Sequence, residues 1–127
     1  MGLRDDILGV DDLSREEVKI PSWNLSQPVY VREMTAAERD EYEAYLLDNR
    51  GPDEKTNLRG VRARLVVLTL VDKDGNRIFA DSDIDAVGRK GARSIEPIVE
   101  AAMKLNAMRK KDVEALAKNS ETAPGEG

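Results

Sequence analysis

The segment Leu58–Asp72 reads LRGVRARLVVLTLVD, and its secondary structure sets the balance of the whole fold. Read as a strand, it alternates only over Val61–Leu65 and then becomes continuously apolar. Read as a helix, it places Leu58, Val61, Leu65 and Leu68 on one stripe and Arg59 and Arg62 on another face. Its length favours a helix; its β-branched residues favour a strand. The helix is the expectation, with the strand left open.

The flanking segments are easier to read. Upstream, TAAERDEYEAYLLDNRG (Thr35–Gly51) carries Thr35 as a helix cap with Glu38 three residues on, which forms a capping box. Tyr42, Tyr45, Leu46 and Asn49 share one stripe of that helix, its other face is charged, and Gly51 and Pro52 stop it. Before it, Val18–Pro21 and Pro28–Met34 alternate as strands, joined by polar SWNLSQ. They predict a two-stranded antiparallel ribbon with Trp23 plugged between ribbon and helices. Residues 1–17 read as a flexible arm, the alternative being a short helix over Ser14–Val18.

Downstream, DKDGNRIF predicts a tight turn that returns Ile78 and Phe79 to the core. Asp81 or Ser82 caps a short helix ending at Gly88. GRKGARS breaks the chain, and Ser94 caps a helix whose stripe is Ile95, Ile98, Val99, Ala102 and Leu105, with Pro97 in its first turn. A last helix is expected over Lys110–Lys118, and residues 119–127 read as a disordered tail. The expected fold is α+β and mostly α. A short N-terminal antiparallel ribbon packs on about five helices within a single domain, residues 18–118.

Bulk composition narrows the chemistry. The 127 residues are 40% hydrophobic but only 4% aromatic, so the core must be aliphatic. The net charge of -5 disfavours a nucleic-acid footprint, which needs clustered positive charge. Arg109–Lys111 is the longest basic run, and Asp112 follows it at once. With no cysteine and no histidine, the chain lacks disulfides, thiolate nucleophiles and the commonest general base. The longest apolar run, Leu65–Val71, falls far short of the roughly 20 residues that span a bilayer. A soluble, cytoplasmic protein that contacts neither nucleic acid nor membrane is expected.

Two constellations invite chemistry and fail on spacing. Asp72, Asp74, Asn76, Asp81 and Asp83 suggest a calcium loop, but from Asp72 the glycine falls at position 4, and Arg77 stands at position 6 where the glycine is needed. GRKGARS lacks the ending of a phosphate-binding loop, although its backbone could take an anion at a helix start near Ser94. Neither a catalytic residue nor a cofactor is expected, which leaves a binding protein.

The strings VYVREMTAAERDEYE, LVDKDGNRIF and KLNAM followed by DVEALAKN, in that order, resemble the tail assembly chaperones of long-tailed bacteriophages and prophages over roughly Val18–Asn119. The resemblance implies a protein that coats the apolar tape measure protein, presents it to tail tube protein subunits, and leaves before the virion is complete. It implies self-association and a frameshifted longer form as a further partner, with slippage at the Lys118 and Asn119 codons. Candidate partner-binding residues are Trp23, Tyr30, Tyr42, Tyr45, Leu105 and Met108. The rival readings are a structural tail or head–tail adaptor protein and a small acidic regulatory binding protein.

Overall fold

The computed structural model describes residues 2–48 and 60–108. The elements are α1 (Leu3–Leu8), β1 (Arg15–Val18), β2 (Val29–Arg32), α2 (Ala36–Asp48), α3 (Val61–Thr69), β3 (Leu70–Val71), α4 (Ile84–Gly88) and α5 (Ala92–Leu105). The fold is α+β and mostly helical, with a small antiparallel sheet against the helices.

The decisive segment is a helix that turns into a strand. Seven of the nine α3 residues are buried, from Val61 through Thr69, leaving Arg62 and Arg64 toward the rim. A helix buried around most of its circumference shows no clean stripe, which is why its sequence reads ambiguously. Packing from α2, α4 and α5 covers it. At Leu70 the backbone becomes extended and pairs with β2, Tyr30 opposite Val71 and Val31 opposite Leu70. The two-stranded ribbon expected from the sequence is therefore a three-stranded sheet in the order β1-β2-β3.

The two ends of α3 are set differently. At its start Gly60 adopts φ 82°, which favours glycine, and a Cβ there would come within 2.7 Å of the Tyr45 hydroxyl and push it aside. At its end the Thr69 hydroxyl donates back to the Leu65 carbonyl at 2.7 Å, and Arg77 Nε donates to the Val67 carbonyl at 3.1 Å. A guanidinium at the carbonyl end of a helix satisfies an orphan acceptor and suits the helix dipole. Arg77, the cation that spoils a calcium loop, is thus the cap of the central helix.

The ribbon lies three residues earlier than expected on its first strand. β1 is Arg15–Val18, replacing both the strand expected at Val18–Pro21 and the alternative helix over Ser14–Val18. Pro21 has no N–H to give to a ladder and instead opens a 3-10 turn, Pro21–Trp23. Within the arm residues 1–17, α1 is a helix that buries none of its side chains.

The capping box of α2 forms as its sequence implies. The Glu38 amide donates to Thr35 Oγ1 at 3.1 Å, and the Thr35 amide donates to Glu38 Oε1 at 2.9 Å. Thr35→Ala is expected to cost about 1 kcal/mol, read as a shifted urea midpoint with unchanged slope. Tyr42 and Leu46 are buried and Tyr45 packs beside them, while Asn49 and the stop at Gly51–Pro52 lie outside the described residues.

The segment after β3 departs from expectation in detail. The Asp72 carboxylate accepts from the amides of Asp74 and Asn76, and Gly75 supplies φ 87° for the turn. Phe79 packs on the core as expected, but Ile78 is 41% exposed, because Arg77 turns inward in its place. The turn before α4 is closed by Asp83, whose carboxylate takes the Ala80 amide, not by Asp81 or Ser82; Asp81 pairs with Arg77 at 2.8 Å. Helix α5 begins at Ala92, so Ser94 lies inside it and Pro97 in its second turn rather than its first. The stripe Ile95, Ile98, Val99 and Ala102 is buried and Leu105 packs at its edge, as the 3.6-residue period predicts. The helix expected over Lys110–Lys118 and the tail after it lie outside the described residues, as do Lys118 and Asn119.

Candidate partner-binding surface

The six partner-binding candidates do not form one patch. Tyr42 on α2 is fully buried, and burial pushes its hydroxyl well above the usual tyrosine range. That hydroxyl has no hydrogen-bond partner among the described residues. Met108, just beyond α5, is also buried in the core. In this conformation neither offers surface to a partner.

The remaining four are half-buried. Tyr45 lies under the Arg64 guanidinium, 4.4 Å from its ring centre. Tyr30 carries Arg15 at 5.5 Å, and the tip of Arg15 reaches the Gly75 turn. Trp23 and Leu105 pack against the core from its margin. The exposed large apolar side chains are others: Leu3, Ile7, Leu8 and Val10 in and after α1, Leu25 between β1 and β2, Leu47 on α2, and Ile78. An open groove of about 640 Å³ runs beneath the β1–β2 connection beside Leu25.

A polar seam missed by the sequence reading joins the sheet to the helices. Arg32, 8% exposed, donates to Glu38 at 2.9 Å and to the Glu33 carbonyl at 3.0 Å. Asn106 is buried, and its side-chain oxygen takes the Met34 amide at 2.8 Å while its NH2 donates to the Ala102 carbonyl at 2.8 Å. Arg39 donates to the Asn106 carbonyl at 2.9 Å and pairs with Glu43. The sequence signal available for Asn106 was a polar residue closing an apolar stripe. That pattern ordinarily marks only a helix end.

The seam makes stability depend on pH. Burial alone would raise the Glu38 carboxyl, but the Arg32 guanidinium and the Thr35 amide outweigh it and hold it below the ordinary 4.5. Ser14 likewise lowers Glu33 through its amide, and Arg77 lowers Asp81. A carboxyl depressed in the folded state contributes stability above its unfolded pKa and loses it as the pH falls through the folded value. The melting temperature is therefore expected to drop between about pH 5 and pH 3, and Glu38→Gln to flatten that slope.

No cluster of three or more acidic residues placed to hold a metal ion occurs among the described residues. The carboxylates of Asp72 and Asp83 accept from backbone amides and that of Asp81 from Arg77. The helix start expected near Ser94 lies at Ala92, the Ser94 and Ile95 amides donate to the Gly91 carbonyl, and the Ser94 hydroxyl meets that of Ser22 at 2.6 Å. No described helix is long and apolar enough to cross a membrane.

This arrangement, a small antiparallel sheet against a largely buried helix, was compared with known families. The sequence model for phage tail assembly chaperones matches residues 11–119. The chain belongs to the phage tail assembly chaperone family. No curated protein is similar enough to this family member to be matched. Among solved structures, that of the bacteriophage HK97 tail assembly chaperone is similar, with a TM-score of 0.51 and 15% identity over 77% of this chain and 91% of that one. At that identity the likeness is one of fold.

Proposed function

We propose that this tail assembly chaperone binds the tape measure protein of a long-tailed phage, keeps it soluble, and helps bring tail tube subunits to it. Its family membership over residues 11–119 carries the reading. In support, the described chain exposes aliphatic side chains at Leu3, Ile7, Leu8, Val10 and Leu25, the kind of surface that can cover apolar positions of another helix. The role is non-enzymatic, exercised in the host cytoplasm and finished before the virion is complete. A frameshifted longer form, made at the codons of Lys118 and Asn119, would share the task.

Co-expression with the phage's own tape measure protein tests this. The tape measure protein should move from the pellet to the supernatant and co-purify with the chain. Mass spectrometry of purified virions should find the tape measure protein and not this chain. A tape measure protein that stays insoluble, or this chain present in stoichiometric amount in virions, would count for a structural tail role instead.

A further inference from the structure

Four exposed cations gather at one end of the domain. Gly88 closes α4 against the first turn of α3, where a Cβ on it would stand 3.8 Å from the Ala63 Cβ. Arg62 adjoins Ala63, Arg89 and Lys90 follow Gly88, and α5 begins at Ala92 with Arg93 in its first turn. All four residues are exposed. None makes an ion pair or a side-chain hydrogen bond among the described residues, and the acids nearest in sequence, Asp85 and Glu96, do not pair with them.

Elsewhere the molecule engages its cations. Among the described residues Arg4, Lys19, Arg32, Arg39 and Arg77 sit in ion pairs, and Arg15 and Arg64 lie over tyrosine rings. Lys73 and Lys104 also lack an acidic partner there, but they stand apart from the cluster, Lys73 after β3 and Lys104 in the last turn of α5. The cluster does not serve the fold. No acid stands in the first turn of α3 or of α5, where one would suit the helix dipole, and Arg62 and Arg93 oppose that dipole. Four like charges at one end also repel one another.

We propose that Arg62, Arg89, Lys90 and Arg93 form a docking surface for an acidic segment of another protein. The net charge of the chain is -5, so with these four cations set aside the remainder carries -9. An acidic partner is repelled by most of the molecule and drawn to this end, which steers and orients its approach. A nucleic acid or an anionic membrane extends well past four cations and meets the acidic remainder. A short acidic stretch of polypeptide can be neutralised within the cluster. Such a contact differs in kind from the exposed aliphatic surface offered to the tape measure protein.

Fluorescence anisotropy of the full chain with a labelled peptide of alternating glutamate and alanine tests this. The peptide should bind at low salt and lose at least about tenfold in affinity between about 50 and about 200 mM salt. Arg89→Glu/Arg93→Glu should weaken binding at least about tenfold. Lys73→Glu/Lys104→Glu changes the net charge equally but away from the cluster, and should leave the affinity within about twofold. All four of these residues are exposed, so circular dichroism should be unchanged in both variants. Absence of binding at low salt overturns the proposal, and so does an equal loss in the two variants, which would make net charge the cause. A thymidine oligonucleotide of equal charge that binds more tightly than the peptide overturns it in favour of nucleic acid. A sedimentation mass that falls in Arg89→Glu/Arg93→Glu overturns it in favour of a second copy. No tail component enters these measurements, so their failure leaves the tape measure reading standing.

Discussion

Leu68→Ala is expected to lower the unfolding free energy by about 3–5 kcal/mol, a large fraction of the roughly 5–15 kcal/mol of a domain this size. Leu68 is 1% exposed on a helix that three others surround. The neighbours cannot collapse into the space from one side without losing contact on another, so the cavity persists. Urea unfolding measures the loss. Leu25→Ala, at a 49% exposed position, serves as its control and should change stability by no more than about 0.5 kcal/mol. A Leu68→Ala loss as small as the control's would mean that α3 is not the buried centre of the domain.

Asn106→Leu is the second large effect, at about 2–3 kcal/mol. The substitution strands the Met34 amide, whose acceptor is the Asn106 side-chain oxygen in a buried setting. The Ala102 carbonyl is less affected, because it also accepts the Asn106 backbone amide at 3.0 Å. Hydrogen exchange separates this cause from a general loosening. The Met34 amide should exchange far faster in the variant, while amides in the middle of α3 slow or quicken only with global stability. Equal acceleration throughout would show that Asn106 is only a space filler.

How far the sequence could be read depended on how local each determinant is. Helix α2 was legible because its capping box closes within four residues, Thr35 to Glu38. The stripe of α5 was legible because one face meets the core and the other meets water. Helix α3 was not, since burial around most of its circumference weakens the contrast on which periodicity rests. The partner candidates show the same limit. An aromatic on a helical stripe looks alike whether it faces a core or a partner, and the structure puts Tyr42 and Met108 inside and Trp23, Tyr30, Tyr45 and Leu105 at the margin. The exposed aliphatics of α1 drew no notice, because in sequence they alternate with charges like any solvated arm.

The amino-acid sequence by itself determined the class of the domain, its aliphatic core, the capped helix at Thr35, the apolar stripe from Ile95 to Leu105, and the likeness of its motifs, in their sequence order, to tail assembly chaperones. These follow from short-range spacing and composition, which act within a turn or two of the chain. The tertiary structure alone decided where α3 yields to β3, because Leu70 and Val71 become a strand only by bonding to Tyr30 and Val31 forty residues away. It also gave Arg77 and Asn106 their tasks as cap and clasp. A buried carbonyl or amide must find a partner, and which distant side chain supplies it depends on the packing of the whole chain.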